Sequence, residues 1–214
     1  MSRVKINLGC GIRLLAGWLN VDAHLLLADL KRGQRTKRGL WKNAVVPPGV
    51  RFVRADMRQL PFDNDYADLI ECDCAIEHIA YSESLVAVQE MHRVLKSRGL
   101  LRIATTNFDA LAKLWVERIS TKKAWTAAVW WDLVEVIYGN QIHAGEFHRA
   151  AFNPRYLAHL LLTAGFPRPI TIRVFPTGCG DPPPFEHTRG LHKDMVARTE
   201  MIYAEVTKTA KRAA

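Results

Sequence analysis

The chain has 214 residues, 49% hydrophobic and 24% charged. That is long enough for one sizeable core and short for two, and it excludes disorder as the dominant state. No stretch approaches the roughly 18 apolar residues that span a bilayer. The first twenty residues, with Arg3, Lys5 and Arg13, lack the basic, apolar and small-residue regions of a secretion signal; the expectation is one domain, residues 1–214, in the cytoplasm.

The formal net charge is +9, and part of the excess is local: Lys31, Arg32, Arg35, Lys37, Arg38 and Lys42 crowd one segment with no acid among them. Such a patch attracts anions: nucleic acid, a nucleotide-sugar, a lipid pyrophosphate or an anionic membrane surface. A solvated loop has the same composition. The four cysteines, Cys10, Cys72, Cys74 and Cys179, match no zinc spacing and read as reduced thiols.

In chain order, residues 4–8 form a short apolar strand running into Gly9-Cys10-Gly11, the usual opening of a nucleotide-binding α/β unit. A second strand is predicted at 18–22, a helix at 23–31, and a third strand at 50–55 after the turn Pro47-Pro48-Gly49. The fourth strand covers 67–72. A helix follows at 83–96, with Leu85, Val88, Met91 and Leu95 at helical spacing and Gly99 just beyond its end. The fifth strand is 100–104. Residues 108–138 read as helical and carry Trp115, Trp125, Trp130 and Trp131; they are expected as an insertion, about 108–150, over the ligand-binding edge. Those tryptophans suit a substrate pocket, a dimer interface or the packing of a helical hairpin. Asn153-Pro154 starts another helix, cap then proline, that ends at Gly165. Strand six is predicted at 169–175, a loop at 176–193 and a last strand at 199–207. Strands alternating with helices give an α/β, Rossmann-like sandwich: a mostly parallel seven-stranded sheet with helices on both faces.

In open α/β sheets ligands bind at the carboxyl ends of the strands. The residues there carry the chemistry. In Asn7-Leu8-Gly9-Cys10-Gly11 the glycines allow a sharp turn and close backbone approach to a ligand. Asp22 ends the second strand, where a carboxylate accepts both hydroxyls of a ribose. Leu14 breaks the dinucleotide pattern Gly-x-Gly-x-x-Gly, which argues against a nicotinamide dehydrogenase. Asp56, followed by Met57, ends strand three, where an acid accepts from an exocyclic amine. After strand four comes Asp73-Cys74-Ala75-Ile76-Glu77-His78.

As an ordered set these residues resemble class I methyltransferases that use S-adenosyl-L-methionine. The glycine loop matches that family's first motif, Asp22 its ribose-binding acid, and Asp56-Met57 with Leu60-Pro61-Phe62 its adenine-contacting region. Tyr66 to Ile70 with Ile76-Glu77-His78-Ile79 matches its fourth motif. Residues 91–99 resemble the turn before strand five, with Ser97-Arg98 where Pro-Gly is usual, and Leu161 to Phe166 resembles the entry to strand six. The family often has a third glycine where this chain has Arg13. The short span from Gly9 to Asp22, with Gly17-Trp18-Leu19-Asn20-Val21-Asp22, is similar to a subgroup associated with bacterial surface-glycan synthesis, and implies a first crossover made as a loop.

The resemblance implies S-adenosylmethionine as cofactor, held by Leu8, Gly9, Cys10, Gly11, Asp22, Asp56, Met57 and Asp73. It implies in-line methyl transfer to oxygen or nitrogen of a small-molecule or glycan acceptor, driven largely by positioning and desolvation. Glu77, His78, His143 and His148 are the candidate bases for a hydroxyl acceptor, of which His78, Glu77 and His148 are favoured. His78 reads more readily still as a structural residue at a helix start. His143 and His148 with Glu146 lack a third metal ligand visible in sequence, so no metal site is expected. An RNA methyltransferase is the rival enzyme, without an Asn-Pro-Pro-Tyr-type motif to support it. A non-catalytic binding protein of the same fold is the rival from outside enzymology.

Overall fold

The computed structural model describes residues 3–24, 46–120, 134–141, 144–176 and 200–210. The expected helix beyond residue 24, the basic segment 31–42, Trp125, Trp130, Trp131, His143, Cys179 and the 177–193 part of the expected loop lie outside the described residues.

Seven strands form one sheet: β1 (Lys5–Leu8), β2 (Leu19–Asp22), β3 (Arg51–Arg54), β4 (Ala67–Asp73), β5 (Leu95–Thr106), β6 (Thr171–Pro176) and β7 (Glu200–Thr207). Their order is β3-β2-β1-β4-β5-β7-β6. The first five pair in parallel, and β7 runs antiparallel between β5 and β6. The order reverses between β1 and β4, which puts the switch-point crevice at the ends of those two strands. The first crossover, residues 9–18, is made of turns without a helix.

The central position of β1 and β4 explains their composition. Ile6, Leu8, Ile70 and Cys72 have essentially no exposed surface, as strands covered on both faces require. Glu71 sits inside β4 with 2% exposure, and Arg102 of β5 donates to it and to Glu205 of β7 at 2.9 Å each. Tyr203 donates to the same Glu205 at 2.6 Å. This three-strand network compensates a carboxylate that would otherwise be costly to bury.

Three longer helices are described: α1 (Ser84–Val94), α2 (Phe108–Ser120) and α3 (Pro154–Thr163). Helix α1 buries Ala87, Val88, Met91 and Val94 along one stripe, and α3 packs beside it through Leu157, Leu160 and Leu161. The Asn153 side chain accepts from the Tyr156 amide at 2.8 Å, with proline in the first turn as the sequence predicts. Residues 134–138 are helical, and Val136 and Ile137 pack with Leu111 and Leu114 of α2.

Gly99 does not terminate α1. The helix stops at Val94, Leu95 turns extended, and β5 begins at residue 95 rather than 100. Arg98, at φ 64, takes the left-handed conformation expected of the glycine. Gly99 is needed for space: a Cβ there would lie 2.8 Å from the Lys96 carbonyl oxygen and 3.1 Å from that of Ala67. The carbonyls at the helix end are met from β7. The Lys208 ammonium donates to the carbonyls of His92 at 2.8 Å and Leu95 at 2.6 Å, and to Asp65 at 3.0 Å. A cation at a helix C-terminus also opposes the negative end of its dipole. Replacing Lys208 with Met is therefore expected to destabilise the protein by about 2 kcal/mol, since it strips charge-assisted donors from largely buried acceptors. Urea unfolding checks this; a loss under about 0.5 kcal/mol would show that water replaces the ammonium without cost.

Candidate active site

The chain leaves β1 through Gly9 (φ 67) and Gly11 (φ 49). The Gly9 and Cys10 amides both donate to the Val21 carbonyl, at 2.8 and 3.0 Å, which ties the loop to β2. Gly9 is required for two reasons. Its φ is left-handed, and a Cβ on it would lie 2.2 Å from the Ala75 Cβ, with Met57 Cε next at 3.7 Å. The turns after β1, β3 and β4 thus converge on one point. Gly11 differs: a Cβ there would meet nothing within 4 Å, so its open side is available to a ligand.

Asp22, at the end of β2, accepts from the Gly11 amide at 2.9 Å and the His24 amide at 2.8 Å, one on each carboxylate oxygen. Asp56 follows β3 and is clasped by Arg58, through its amide and Nε at 2.9 Å and a guanidinium nitrogen at 2.5 Å. Those bonds hold its carboxyl below the usual carboxylate range. Arg58 also pairs with Glu83 at 2.6 Å, which links the region after β3 to the start of α1. Asp73 ends β4, buried, and receives Arg13 at 2.5 Å on its carboxylate and 3.3 Å on its carbonyl. Arg13, in place of a third glycine, thereby locks the first loop to β4. Burial opposes its charge, but Asp73 overcomes this and raises its pKa. Cys10, Cys72 and Cys74 are free, and burial pushes each thiol up, keeping all three protonated.

Two asparagines that the sequence reading left without a role brace the short crossover. Asn7 donates to the Arg13 carbonyl at 2.7 Å and to Asn20 Oδ1 at 3.0 Å. Asn20, fully buried, accepts from the Leu15 amide at 2.8 Å and donates to the carbonyls of Leu15 at 3.0 Å and Arg51 at 3.1 Å. Their signal in the sequence is a polar residue inside each of two short buried strands.

Beyond β4, Cys74 (φ 49) turns the chain into a 3-10 turn, Ile76–His78. The Glu77 carbonyl accepts from the amides of Arg149 at 2.7 Å and Ala150 at 3.1 Å. This pins residues 146–150 over the end of β4. Gly139 sits so close to that segment that a Cβ would lie 1.8 Å from the Glu146 carbonyl oxygen. The His148 amide donates to Tyr138 O at 3.0 Å, and its ring Nδ1 lies 2.9 Å from Val136 O. His148 therefore packs edge-on against His78, with centroids 4.8 Å apart. Glu77 is 4% exposed and takes a bond from Thr105 at the end of β5; its Oε2 has no partner, nor has His78 Nδ1. Burial raises the Glu77 pKa and lowers that of His78. His148, far from Glu77 and His78 in sequence, thus shares one wall with that adjacent pair, whereas Glu146 is not among the three grouped side chains and His143 is outside the described residues.

The comparisons agree with this layout. A family model described as a methyltransferase domain matches residues 6–103. Solved structures share the fold. A methyltransferase from Methanosarcina mazei that depends on S-adenosylmethionine superposes with TM-score 0.60 at 15% identity, over 99% of this chain and 95% of that one. The Burkholderia thailandensis 1,6-didemethyltoxoflavin-N1-methyltransferase, solved with its substrate and S-adenosylhomocysteine, gives 0.52 at 16% identity, over 96% and 71%. This chain has the class I methyltransferase fold. Among curated proteins, the Coxiella burnetii ubiquinone/menaquinone biosynthesis C-methyltransferase is 28% identical over 93 residues, 44% of this chain and 34% of the relative. The matched part is thus about a third of the curated relative's length.

The residues present suit S-adenosylmethionine. Gly11 leaves open space beside an acid that ends β2. A carboxylate has about four acceptor positions, so Asp22 can hold the loop and take ribose hydroxyls. The crossing at Gly9 generates a test. Gly9→Ala is expected to lower stability by more than about 2 kcal/mol, through overpacking and a strained φ. Adding Ala75→Gly removes the colliding atom and should restore at least about half of that loss. No recovery in thermal unfolding of the double variant would mean that the two turns do not meet.

Proposed function

We propose that this protein transfers the methyl group of S-adenosylmethionine to oxygen or nitrogen of a small-molecule or glycan acceptor, and that it acts in the cytoplasm. The observation that carries this reading is the convergence, at one strand edge, of Gly9, Gly11, Asp22, Met57 and Asp73 on one side and Glu77, His78 and His148 on the other. Three free thiols, Cys10 and Cys72 buried and Cys74 partly so, fit a reducing compartment, and no helix of the described residues is long and apolar enough to cross a membrane.

In this reading Asp22 receives the ribose and Gly11 gives close access. Met57 and Asp56, held by Arg58, border the adenine. Asp73 and the backbone of Leu8, Gly9 and Cys10 border the amino-acid end. The cofactor supplies an electrophilic methyl on a sulfonium. The chain aligns the acceptor with it and keeps water away, since most of the rate gain in such a displacement comes from positioning and desolvation. The wall of Glu77, His78 and His148 faces the acceptor and takes up its proton. The glycan class rests on the short crossover, Gly17 to Asp22, whose bracing by Asn20 gives that motif a structural reason. The printed activity of the Coxiella burnetii relative, methylation at carbon, is the alternative for the acceptor atom.

Calorimetric titration with S-adenosylmethionine and S-adenosylhomocysteine tests this directly. Saturable one-to-one binding is expected, weakened at least about tenfold, some 1.4 kcal/mol, by Asp22→Ala. No binding at millimolar ligand would contradict the enzyme reading and favour a binding protein of the same fold. A gel shift with RNA that weakens steeply with salt would redirect the acceptor to nucleic acid.

A further inference from the structure

We propose that Glu77, His78 and His148 form a site for one divalent transition-metal ion of the zinc class, on the acceptor side of the crevice. The proposal rests on the reading of this cluster as the wall that faces the acceptor. Each of the three residues offers one ligand atom, and these atoms all lie within 4.8 Å of one another. Three such atoms always have a point within about 2.8 Å of all of them. Bonds from zinc to nitrogen or oxygen are about 2.0–2.2 Å, so a side-chain adjustment of under about 1 Å per ligand closes the site.

Two independent features point to a ligand. Glu77 Oε2 and His78 Nδ1 are buried and make no hydrogen bond, which is rare without a compensating group. His148 is already prepared as a ligand: Val136 O, 2.9 Å from Nδ1, can only accept, so Nδ1 carries the proton and Nε2 keeps its lone pair. A ligating histidine typically has its other nitrogen bonded to a carbonyl or carboxylate in this way. The backbone holds the geometry, because the Glu77 carbonyl is bonded to the amides of Arg149 and Ala150, next to His148.

The donor set decides the metal. Two imidazoles and one carboxylate suit zinc, cobalt or iron(II), while magnesium and calcium prefer all-oxygen sites. Three protein ligands leave coordination positions open, as in catalytic rather than structural sites. With an ion bound, the three side chains would serve as its ligands instead of as bases, and an oxygen of the acceptor, hydroxyl or carboxylate, is the group that would fill an open position, where the ion would ease loss of a hydroxyl's proton.

The test is titration of chelator-treated full-length protein with Co2+, read by its visible absorption, and with Zn2+, read by calorimetry and thermal unfolding. One equivalent is expected to bind, and Zn2+ at about 100 times its Kd should raise the unfolding midpoint. Glu77→Gln, His78→Gln and His148→Gln should each weaken binding by at least about tenfold. Wild-type protein that binds neither ion, or binds them with unchanged affinity in all three variants, overturns the proposal; the wild-type measurement holds even where a variant fails to fold. S-adenosylhomocysteine titrated into the same samples separates the two readings. Its binding without metal binding removes only the metal site, and metal binding without it removes the methyltransferase reading.

Discussion

Everything at the crevice depends on one close crossing, that of the Gly9 turn over Ala75. The backbone after β1 runs so close to Ala75 that a Cβ on residue 9 would lie 2.2 Å from the Ala75 Cβ. Core packing tolerates no such overlap. With no Cβ at residue 9, the loop can lie flat on the end of β4, donate twice to Val21, and present Gly11 to Asp22. Arg13 then reaches Asp73 across the same gap. Remove the crossing and Asp22, the loop and the end of β4 lose their common reference.

A second set of backbone bonds brings the distant half of the chain to this edge. The Glu77 carbonyl accepts two amides from residues 149 and 150, and Gly139 lets the preceding strand of chain pass against Glu146. His148 arrives at His78 because its amide and its ring are each fixed by the 136–138 helical turn. A wall of buried, incompletely satisfied polar groups is expensive. Its persistence next to the switch-point crevice is the pattern expected where stability is given up for function.

The first four strands were legible because each is a short run that leads into a glycine or an acid, and the last because Met201 to Val206 fills the place β5 leaves beside it. The acids at the strand ends were legible for the same reason: Asp22, Asp56 and Asp73 each follow an apolar strand. What sequence could not supply was pairing over long separations. Nothing near residue 148 announces His78, and nothing near residue 92 announces Lys208, since both contacts exist only once β7 and the 139–150 segment are in place. Gly99 misled because a glycine after a helical run usually caps it; here it makes room for two carbonyls while Arg98 takes the left-handed turn. Asn7 and Asn20 read as strand residues, and only the fold shows them holding a crossover that has no helix to stiffen it.

The most direct measurement is a crystal structure of the protein grown with S-adenosylhomocysteine. Density for the ribose on Asp22, beside Gly11, with the sulfur directed toward Glu77, His78 and His148, is the predicted result. A crevice closed by the Arg13–Asp73 pair with the nucleoside absent, or bound elsewhere, would contradict the assignment of this strand edge as the methyl-transfer site.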